Sequence, residues 1–290
     1  MILTNKLNLP APLVEAVARQ EYSRGLADIS ISELISPPRQ RALIQRNKER
    51  IEEDVADRIW SLVGQLGHSI LQKTNTSNAL TEERFFIQLD GWTLSGQLDH
   101  FSLNEKVLTD YKFTTVWRLK NDGVPEEWKE QLNCYAYLLR KNGHTVEHAQ
   151  VLVIFRDWLV TEAAREPLSY PQKQAALYEV QMWPEEMQLY FLRQRLELHR
   201  QAQLATDELL PECTPAERWQ RRTLWQCIRF GNKKATRVFT TEREANEFIF
   251  GQKVPSEFSI VRRLGEAIRC VHYCPASPFC TQYQQSHSTI

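Results

Sequence analysis

Two neighbouring stretches near the middle of the chain, residues 92–101 and 106–113, alternate apolar and polar side chains. Alternation with a period of two is typical of strands that bury one face, and the polar residues between the stretches predict a turn. Together they predict an antiparallel hairpin. Because side chains two positions apart lie on the same face of a strand, we expect Asp110 and Lys112 to point the same way, with Asp99 on the neighbouring strand.

The periodicity of the remaining chain predicts an α/β protein. Further strand-like runs occur at residues 83–89, 148–160 and 176–183. The dipeptide Asp90-Gly91 predicts a tight turn that leads from the first of these runs into the hairpin. Helical spacing of apolar residues predicts helices at residues 13–22, 37–72, 125–140 and 184–207. This order indicates a central mixed sheet flanked by helices.

Composition narrows the class of protein. A hydrophobic content of 42% argues against disorder. The 36 basic and 36 acidic side chains balance, which argues against a passive polyelectrolyte binder and leaves room for a local basic groove. No apolar run reaches the length of a membrane span, and residues 1–12 lack a signal pattern, so we expect a cytoplasmic protein with no membrane partner.

Changes of composition divide the chain into four predicted parts. They are an N-terminal segment (1–30), an α/β core (31–208), a cysteine-rich C-terminal module (209–283) and a polar tail (284–290) that we expect to be disordered. The proline-flanked residues 211–215 mark the boundary between core and module.

Acids and a lysine on one hairpin suit phosphodiester chemistry. Hydrolysis of a phosphodiester needs a metal that activates water and neutralises charge on the phosphate. Mg²⁺ prefers oxygen ligands, and Asp99, Asp110 and the backbone carbonyl of Tyr111 would supply them. Lys112 could orient the water or stabilise the transition state as a point charge. An exposed ion pair is the ordinary alternative for such a pair.

Four short motifs occur in a particular order. Gly-His at 67–68, G-x-x-D at 96–99, D-x-K at 110–112 and Q-x-x-x-Y at 131–135 follow one another along the chain. This order resembles that of the PD-(D/E)XK nucleases of the RecB-type branch, over roughly residues 30–200. The resemblance implies a restriction-endonuclease-like core, a central mixed sheet flanked by helices.

The resemblance also assigns roles to individual residues. It implies that His68, Asp99, Asp110 and the Tyr111 carbonyl hold Mg²⁺ or Mn²⁺, and that Lys112 is the catalytic lysine. Further catalytic-site and metal residues it implies are Gln131 and Tyr135, one helical turn apart, and Glu83, an acid ahead of the first core strand. Without the resemblance, His68 would be read as a hydrogen-bonded core histidine, and Gln131 and Tyr135 as core residues.

The family likeness implies a metal-dependent deoxyribonuclease, and we expect exonuclease action on DNA ends, as in phage and recombination nucleases. A recombination or replication protein is then an expected partner. An endonuclease, an RNA nuclease and a non-catalytic DNA-binding or assembly subunit are the alternatives. Trp117, Arg118 and Lys120 could contact single-stranded DNA, or form a solvated loop.

Three cysteines, Cys270, Cys274 and Cys280, lie within eleven residues near the C-terminus. Such spacing in a reducing compartment favours metal ligation. The segment is similar to the C-terminal cysteine cluster of iron–sulfur RecB-type nucleases, such as the CRISPR adaptation nucleases and AddB, which implies a 4Fe-4S cluster; structural Zn²⁺ is the alternative.

The cysteine pattern departs from that family in two ways. Three residues, rather than two, separate the first clustered pair, and the expected N-terminal cysteine is absent. We therefore expect Cys213 as the fourth ligand, with Cys227 or His272 as alternatives. Cys134 is expected to be a buried small hydrophobe.

A basic stretch lies in the predicted module. Lys233, Lys234 and Arg237 could form part of a DNA track or a solvated hairpin turn.

Overall fold

A computed structural model describes residues 1–19, 23–74, 78–120 and 123–287. The chain forms two compact units, Met1–Thr206 and Asp207–Ile290. In the described parts of the chain, no helix combines the length and the apolar character needed to cross a membrane.

Unit 1 is a mixed α/β structure. Its strands are β1 (Ile2–Thr4), β2 (Ile29–Ser30), β3 (Glu52–Asp54), β4 (Ala79–Thr81), β5 (Arg84–Leu89), β6 (Trp92–Gln97), β7 (His100–Ser102), β8 (Val107–Thr114), β9 (His148–Phe155) and β10 (Ala175–Val180). Its helices are α1 (Ala11–Ala18), α2 (Ile31–Ile35), α3 (Pro38–Arg46), α4 (Ile59–Gln72), α5 (Trp117–Lys120), α6 (Glu126–Lys141), α7 (Val160–Arg165) and α8 (Glu185–Leu204). The predicted fold class, mixed sheets flanked by helices, is confirmed at this level.

The largest sheet has the strand order β10-β9-β8-β7-β4. β8 and β9 run parallel, and the other neighbours run antiparallel. Leu108, Val151 and Val153 on the two central strands are fully buried, as expected for strands covered on both faces. β7 pairs with residues 107–109 of β8, and β8 then continues along β9 to Thr114.

The first stretch of the predicted hairpin is two strands in two sheets. Residues 92–97 form β6, which pairs with β5 and β2 in a second mixed sheet, and only residues 100–102 form the hairpin with β8. The chain changes sheet at Leu98, which is buried and donates its amide to the Glu83 carbonyl at 3.1 Å. The predicted Asp90-Gly91 turn joins β5 to β6, with both residues at positive φ.

The predicted helix at 37–72 was wrong in its middle. α3 ends at Arg46, β3 pairs in parallel with β1, and α4 begins only at Ile59. The buried Asn47 side chain donates to the Leu43 carbonyl at 2.9 Å, which ends the helix, and Ile51 is buried in the turn that follows. The predicted helix at 13–22 is observed as α1; residues 20–22 lie outside the described residues.

α6 begins after Pro125 and ends before Gly143, as predicted. It packs against β5, β6, β8 and β9. A Cβ atom on Gly96 would lie 2.8 Å from the Tyr135 ring, so only a glycine allows this close approach of β6 and α6.

The described residues of unit 2 form an antiparallel sheet and three α-helices. Its elements are β11 (Leu224–Arg229), β12 (Arg237–Phe239), α9 (Glu242–Phe250), β13 (Phe258–Arg263), α10 (Ile268–His272) and α11 (Thr281–His287). The sheet order is β12-β11-β13, and Thr241 and Glu244 form a capping box at the start of α9. The expected disordered tail is helical through residue 287, and residues 288–290 lie outside the described part.

Candidate functional site

Three potential metal ligands converge in unit 1. They are His68 on α4, Glu82 before β5 and Asp99 before β7. Each residue contributes one ligand atom, and these three atoms lie within 4.8 Å of one another. Nδ1 of His68 lies 3.2 Å from Oε1 of Glu82 and 3.3 Å from Oδ1 of Asp99. An imidazole and two carboxylates in this arrangement match the ligand types that divalent cations use in proteins.

Glu82 occupies the position that the sequence suggested for Glu83. Glu82 has a φ of 52° and donates its amide to the Asp99 carbonyl at 3.1 Å, which turns its side chain toward Asp99. Glu83 is exposed and is not part of the cluster. A left-handed backbone conformation is unfavourable at a glutamate, and such strained residues are enriched at functional sites.

Polar residues of the second sheet hold the Glu82 carboxylate. Gln97 donates from Nε2 to Oε2 of Glu82 at 2.9 Å. Arg84 donates to Oε1 of Gln97 at 2.6 Å and to Oγ of Ser95 at 3.1 Å, which fixes the orientation of the Gln97 amide. Glu82 is therefore supported from β5 and β6 before any ion binds.

A second cluster lies on β8 and α6. The Lys112 ammonium forms an ion pair with Oδ2 of Asp110 at 2.8 Å and donates to Oε1 of Gln131 at 3.0 Å. Gln131 in turn donates from Nε2 to the Tyr135 hydroxyl at 3.0 Å. These four sequence-predicted side chains form one connected line, which orients the ammonium.

The backbone of Tyr111 joins the two clusters. Its amide donates to Oδ2 of Asp99 at 2.6 Å, so this peptide group faces away from β9. Because the N–H and C=O of one strand residue point to the same side, the Tyr111 carbonyl also faces the edge that carries Asp99. The predicted carbonyl ligand thus lies on the same sheet edge as the predicted acids.

Burial and charge shift the pKa values of the site. Burial raises the pKa of Asp110 to about 6. The positive charge of Lys112 lowers this pKa and only partly offsets burial, while the negative charge of Asp99 raises the pKa further. Burial lowers the pKa of Lys112, but the charge and hydrogen bonding of Asp110 and the charges of Asp99 and Glu127 together outweigh burial, so the pKa is raised overall. Hydrogen bonds to Asp99 and Glu82 raise the pKa of His68 to about 10. The imidazole therefore carries a proton that a metal must displace.

His68 is positioned by a glycine. A Cβ atom on Gly67 would lie 2.0 Å from the Phe113 ring, so the absence of a side chain lets α4 approach β8. The His68 ring then lies 5.8 Å from the Phe113 ring and 5.9 Å from the Tyr111 ring, centre to centre. A Cβ atom on Gly64 would have no neighbour within 4 Å, so of the two α4 glycines Gly67 is the one that permits the contact.

The donor set of unit 1 fits a divalent metal ion. The three convergent ligands combine two carboxylates with a partly buried imidazole, and the buried Asp110 carboxylate is held by the Lys112 ammonium, 2.8 Å from its Oδ2. Hard oxygen donors suit Mg²⁺ or Mn²⁺.

Four cysteines of unit 2 influence one another. Burial raises the pKa of Cys213 to about 12, and the charges of Cys270, Cys274 and Cys280 contribute to the rise. Burial followed by neighbouring thiols also raises the pKa of Cys270. The Cys213 amide and carbonyl both bond to the side chain of Gln282, at 2.9 and 3.0 Å, so α11 fixes Cys213 beside the C-terminal trio.

The alternative ligands lie elsewhere. Cys227 is fully buried in β11, where its Sγ lies 3.5 Å from the Ala245 carbonyl of α9. The imidazole of His272 is about half exposed and lies 3.9 Å from Glu266. Cys134 is buried in α6, as expected for a small hydrophobe. Cys213 is therefore the thiol that accompanies Cys270, Cys274 and Cys280.

The basic residues suggested for DNA contact are dispersed. Arg118 pairs with Glu127 and Lys120 with Glu166, each at 2.5 Å, which neutralises both charges locally. Trp117 is 69% exposed and so remains available for stacking. Lys233 and Lys234 lie in the exposed turn between β11 and β12.

Arg237 differs from the two lysines because it packs on aromatic rings. Its guanidinium lies 5.4 Å from the Phe239 ring and 5.6 Å from the Phe248 ring. Its contacts therefore stabilise unit 2.

No protein-family model and no curated protein matches this chain. Among solved structures, the chain is similar to the crystal structure of SSO0001, with 17% sequence identity and a TM-score of 0.43. The similarity covers 71% of this chain and 85% of that one.

Proposed function

We propose that this protein is a metal-dependent nuclease that hydrolyses phosphodiester bonds in DNA, with a PD-(D/E)XK core of the RecB type. The observation that carries the proposal is the meeting of two clusters at one edge of β8. The cluster of His68, Glu82 and Asp99 touches the line from Asp110 to Lys112 through the Tyr111 backbone.

The metal ligands would be His68, Glu82, Asp99, Asp110 and the Tyr111 carbonyl. A bound Mg²⁺ or Mn²⁺ would supply Lewis acidity toward the phosphate and a nucleophile from bound water. The chain's own residues prepare for this. Gln97 and Arg84 keep the Glu82 carboxylate oriented, and burial among charged neighbours keeps the ligands close before binding.

Lys112 is the catalytic cation. It lies between Asp110 and Gln131, which accept from or pair with it and so hold its position near the metal ligands. A positioned ammonium can orient the attacking water by hydrogen bonding and stabilise the charge that develops on the phosphoryl oxygens. Tyr135, through Gln131, fixes the far end of this line.

A non-catalytic DNA-binding subunit explains the site less well. A binding module has no use for three acids that repel phosphate when no metal is bound, nor for a glutamate held at a φ of 52°. We favour DNA over RNA, and ends over internal bonds, on family resemblance.

Hydrolysis of DNA tests the proposal. We expect end-labelled linear DNA to be degraded with Mn²⁺ or Mg²⁺, to survive in EDTA, and to be degraded again when excess metal is restored. Covalently closed circles are expected to survive, and their cleavage would identify an endonuclease. Degradation that is equal in EDTA and in metal would contradict the proposed chemistry.

We also propose that Cys213, Cys270, Cys274 and Cys280 ligate a 4Fe-4S cluster. The grouping of these four thiols, of which Cys280 is buried and the other three half-buried, supports a bound cation, because a cation would stabilise the thiolates that otherwise raise the pKa of Cys213 and Cys270. Anaerobically purified protein should show a broad violet absorbance that is lost in Cys213→Ala and kept in Cys227→Ala. A colourless protein that contains zinc would overturn the cluster and leave a structural zinc site.

A further inference from the structure

Two antiparallel segments of unit 2, residues 218–222 and 263–269, lie side by side. Gln220 and Ala267 form a β-bridge, and the Gln220 side chain donates from Nε2 to the Gly265 carbonyl at 2.7 Å. These contacts fix the two segments against each other, so the side chains they carry form one surface.

Arginines dominate this surface, which we call the arginine groove. It is defined by Arg218, Arg221, Arg222 and Arg263. They line two adjoining cavities of about 230 and 320 Å³, and Glu266 is the acid among the lining residues. In the described part of the chain, no carboxylate lies within 4.0 Å of a guanidinium nitrogen of these four arginines.

Two other arginines of unit 2 are each paired with an acid. Arg229 lies 2.6 Å from Glu257, and Arg243 lies 3.4 Å from Glu247. The four arginines of the groove therefore carry positive charge without a paired acid among the described residues, unlike Arg229 and Arg243. Concave surfaces with an excess of one sign of charge, here four arginines against Glu266, attract ions of the opposite sign.

One arginine of the groove also carries an unused donor. Nε of Arg218 is buried and has no hydrogen-bond partner among the described residues. Buried polar groups are nearly always hydrogen-bonded. An acceptor that enters the groove would satisfy this donor, and phosphate oxygens are the acceptors that the guanidinium geometry matches best.

The first segment of the groove also carries an aromatic residue, Trp219, between Arg218 and Gln220. The rings of Trp219 and Tyr273 pack at 5.3 Å, and the Arg269 guanidinium lies 4.2 Å from the Trp219 ring. Tyr273 is 64% exposed, and Trp219 has a φ of 50°, which is strained for a bulky residue. Exposed rings beside cationic grooves are the usual platform on which unpaired bases stack.

We propose that the arginine groove binds the sugar–phosphate backbone of single-stranded DNA, with a base stacked on Tyr273. This inference rests on the proposed function, because it assigns to unit 2 the task of holding an unpaired strand of the substrate. Duplex DNA offers phosphates but no free base faces, so the aromatic platform favours a single strand.

Fluorescence anisotropy with a labelled single-stranded oligonucleotide tests the proposal in EDTA, where binding occurs without metal-dependent cleavage. We expect Arg221→Ala/Arg222→Ala to weaken binding by roughly tenfold and to lower the salt slope by about 1.4, at ~0.7 per phosphate contact. The matched control, Arg229→Ala/Arg243→Ala, removes the same charge from paired arginines and should leave the affinity nearly unchanged.

A second pair of variants tests the platform. Tyr273→Ala should weaken binding at least about fivefold, while Tyr273→Phe keeps the ring and should bind as the unaltered chain does. Equal losses in the two arginine double variants would overturn the proposal, because they would show an effect of net charge alone. The proposal would also be overturned if the Arg221→Ala/Arg222→Ala variant lost affinity for phosphatidylserine vesicles while its affinity for DNA stayed unchanged.

The binding result is independent of the nuclease result. A chain that binds single strands through the arginine groove but never cleaves them would contradict the proposed function and support this surface. If the Arg221→Ala/Arg222→Ala variant cleaves DNA normally and binds the oligonucleotide with unchanged anisotropy, the proposed role of the arginine groove is contradicted. The proposed nuclease function would then still stand.

Discussion

Lys112→Ala should lower the rate of DNA hydrolysis by about 10³-fold, the effect of removing one preorganised charge donor from a developing oxyanion. Lys112 is the one cation within the line that runs from Asp110 to Gln131, and its side chain is only 23% exposed. Loss of the ammonium removes the group that positions the water or meets the charge on the phosphate. Single-turnover kinetics on end-labelled DNA would measure the loss directly.

The control for this variant is Lys106→Ala. Lys106 immediately precedes the same strand and pairs with Glu147 at 2.6 Å on the surface, where such pairs contribute little. It should retain the activity of the unaltered chain. Assays belong well above pH 6, because Asp110 has a pKa of about 6 that will rise further when its cationic neighbour is removed. Equal rates of DNA hydrolysis for Lys112→Ala and Lys106→Ala would contradict the assignment of Lys112 as the catalytic cation.

Gly67→Ala should destabilise unit 1 by about 1–3 kcal/mol, the usual effect of overpacking. The new methyl would lie 2.0 Å from the Phe113 ring, so α4 must move away from β8 or the ring must rotate. Either shift displaces His68, which follows directly on α4. We therefore expect weaker metal binding together with a lower midpoint of urea unfolding.

Gly64→Ala is the matched control on the same helix. Nothing lies within 4 Å of its new methyl, and alanine is favoured over glycine in helix interiors by about 0.5–1 kcal/mol. This variant should therefore raise the urea midpoint slightly and keep metal affinity. Shifts of the same sign in both variants would show that helix propensity, rather than the contact with Phe113, governs α4.

The strands and α6 were predictable because their side-chain periodicity is strong. The period of two through residues 106–113 put Asp110 and Lys112 on one face, and the Q-x-x-x-Y spacing put Gln131 and Tyr135 one turn apart. Such local rules need no knowledge of the rest of the fold. In the structure, these side chains form the line of contacts between β8 and α6 in which Lys112 donates to Gln131 and Gln131 donates to Tyr135.

Features that depend on distant contacts were missed. The change of sheet at Leu98 and the helix break at Asn47 arise from burial against other elements, which apolar spacing alone does not reveal. Glu82 was missed for a related reason. The positive φ of Glu82 and the hydrogen bond from its amide to the Asp99 carbonyl determine that Glu82, rather than Glu83, enters the site. The sequence alone does not distinguish these two adjacent glutamates.

Unpaired charge was equally invisible in the sequence. The turn with Lys233 and Lys234 looked like the basic surface of unit 2, but runs of charge do not show which cations have acids beside them. Pairing depends on register. The bridge between Gln220 and Ala267 gathers the arginine groove, whereas Arg229 meets Glu257.

Isothermal calorimetry of Mn²⁺ titrated into the protein is the most direct test of the metal centre on which the account depends. We predict that the unaltered chain binds Mn²⁺, that Glu82→Ala weakens binding at least about tenfold, and that the adjacent Glu83→Ala does not. Because the pKa of His68 is about 10, binding must release its proton, and the affinity should rise with pH below that value. Absence of Mn²⁺ binding in the unaltered chain, or equal affinity in Glu82→Ala and Glu83→Ala, would contradict the account.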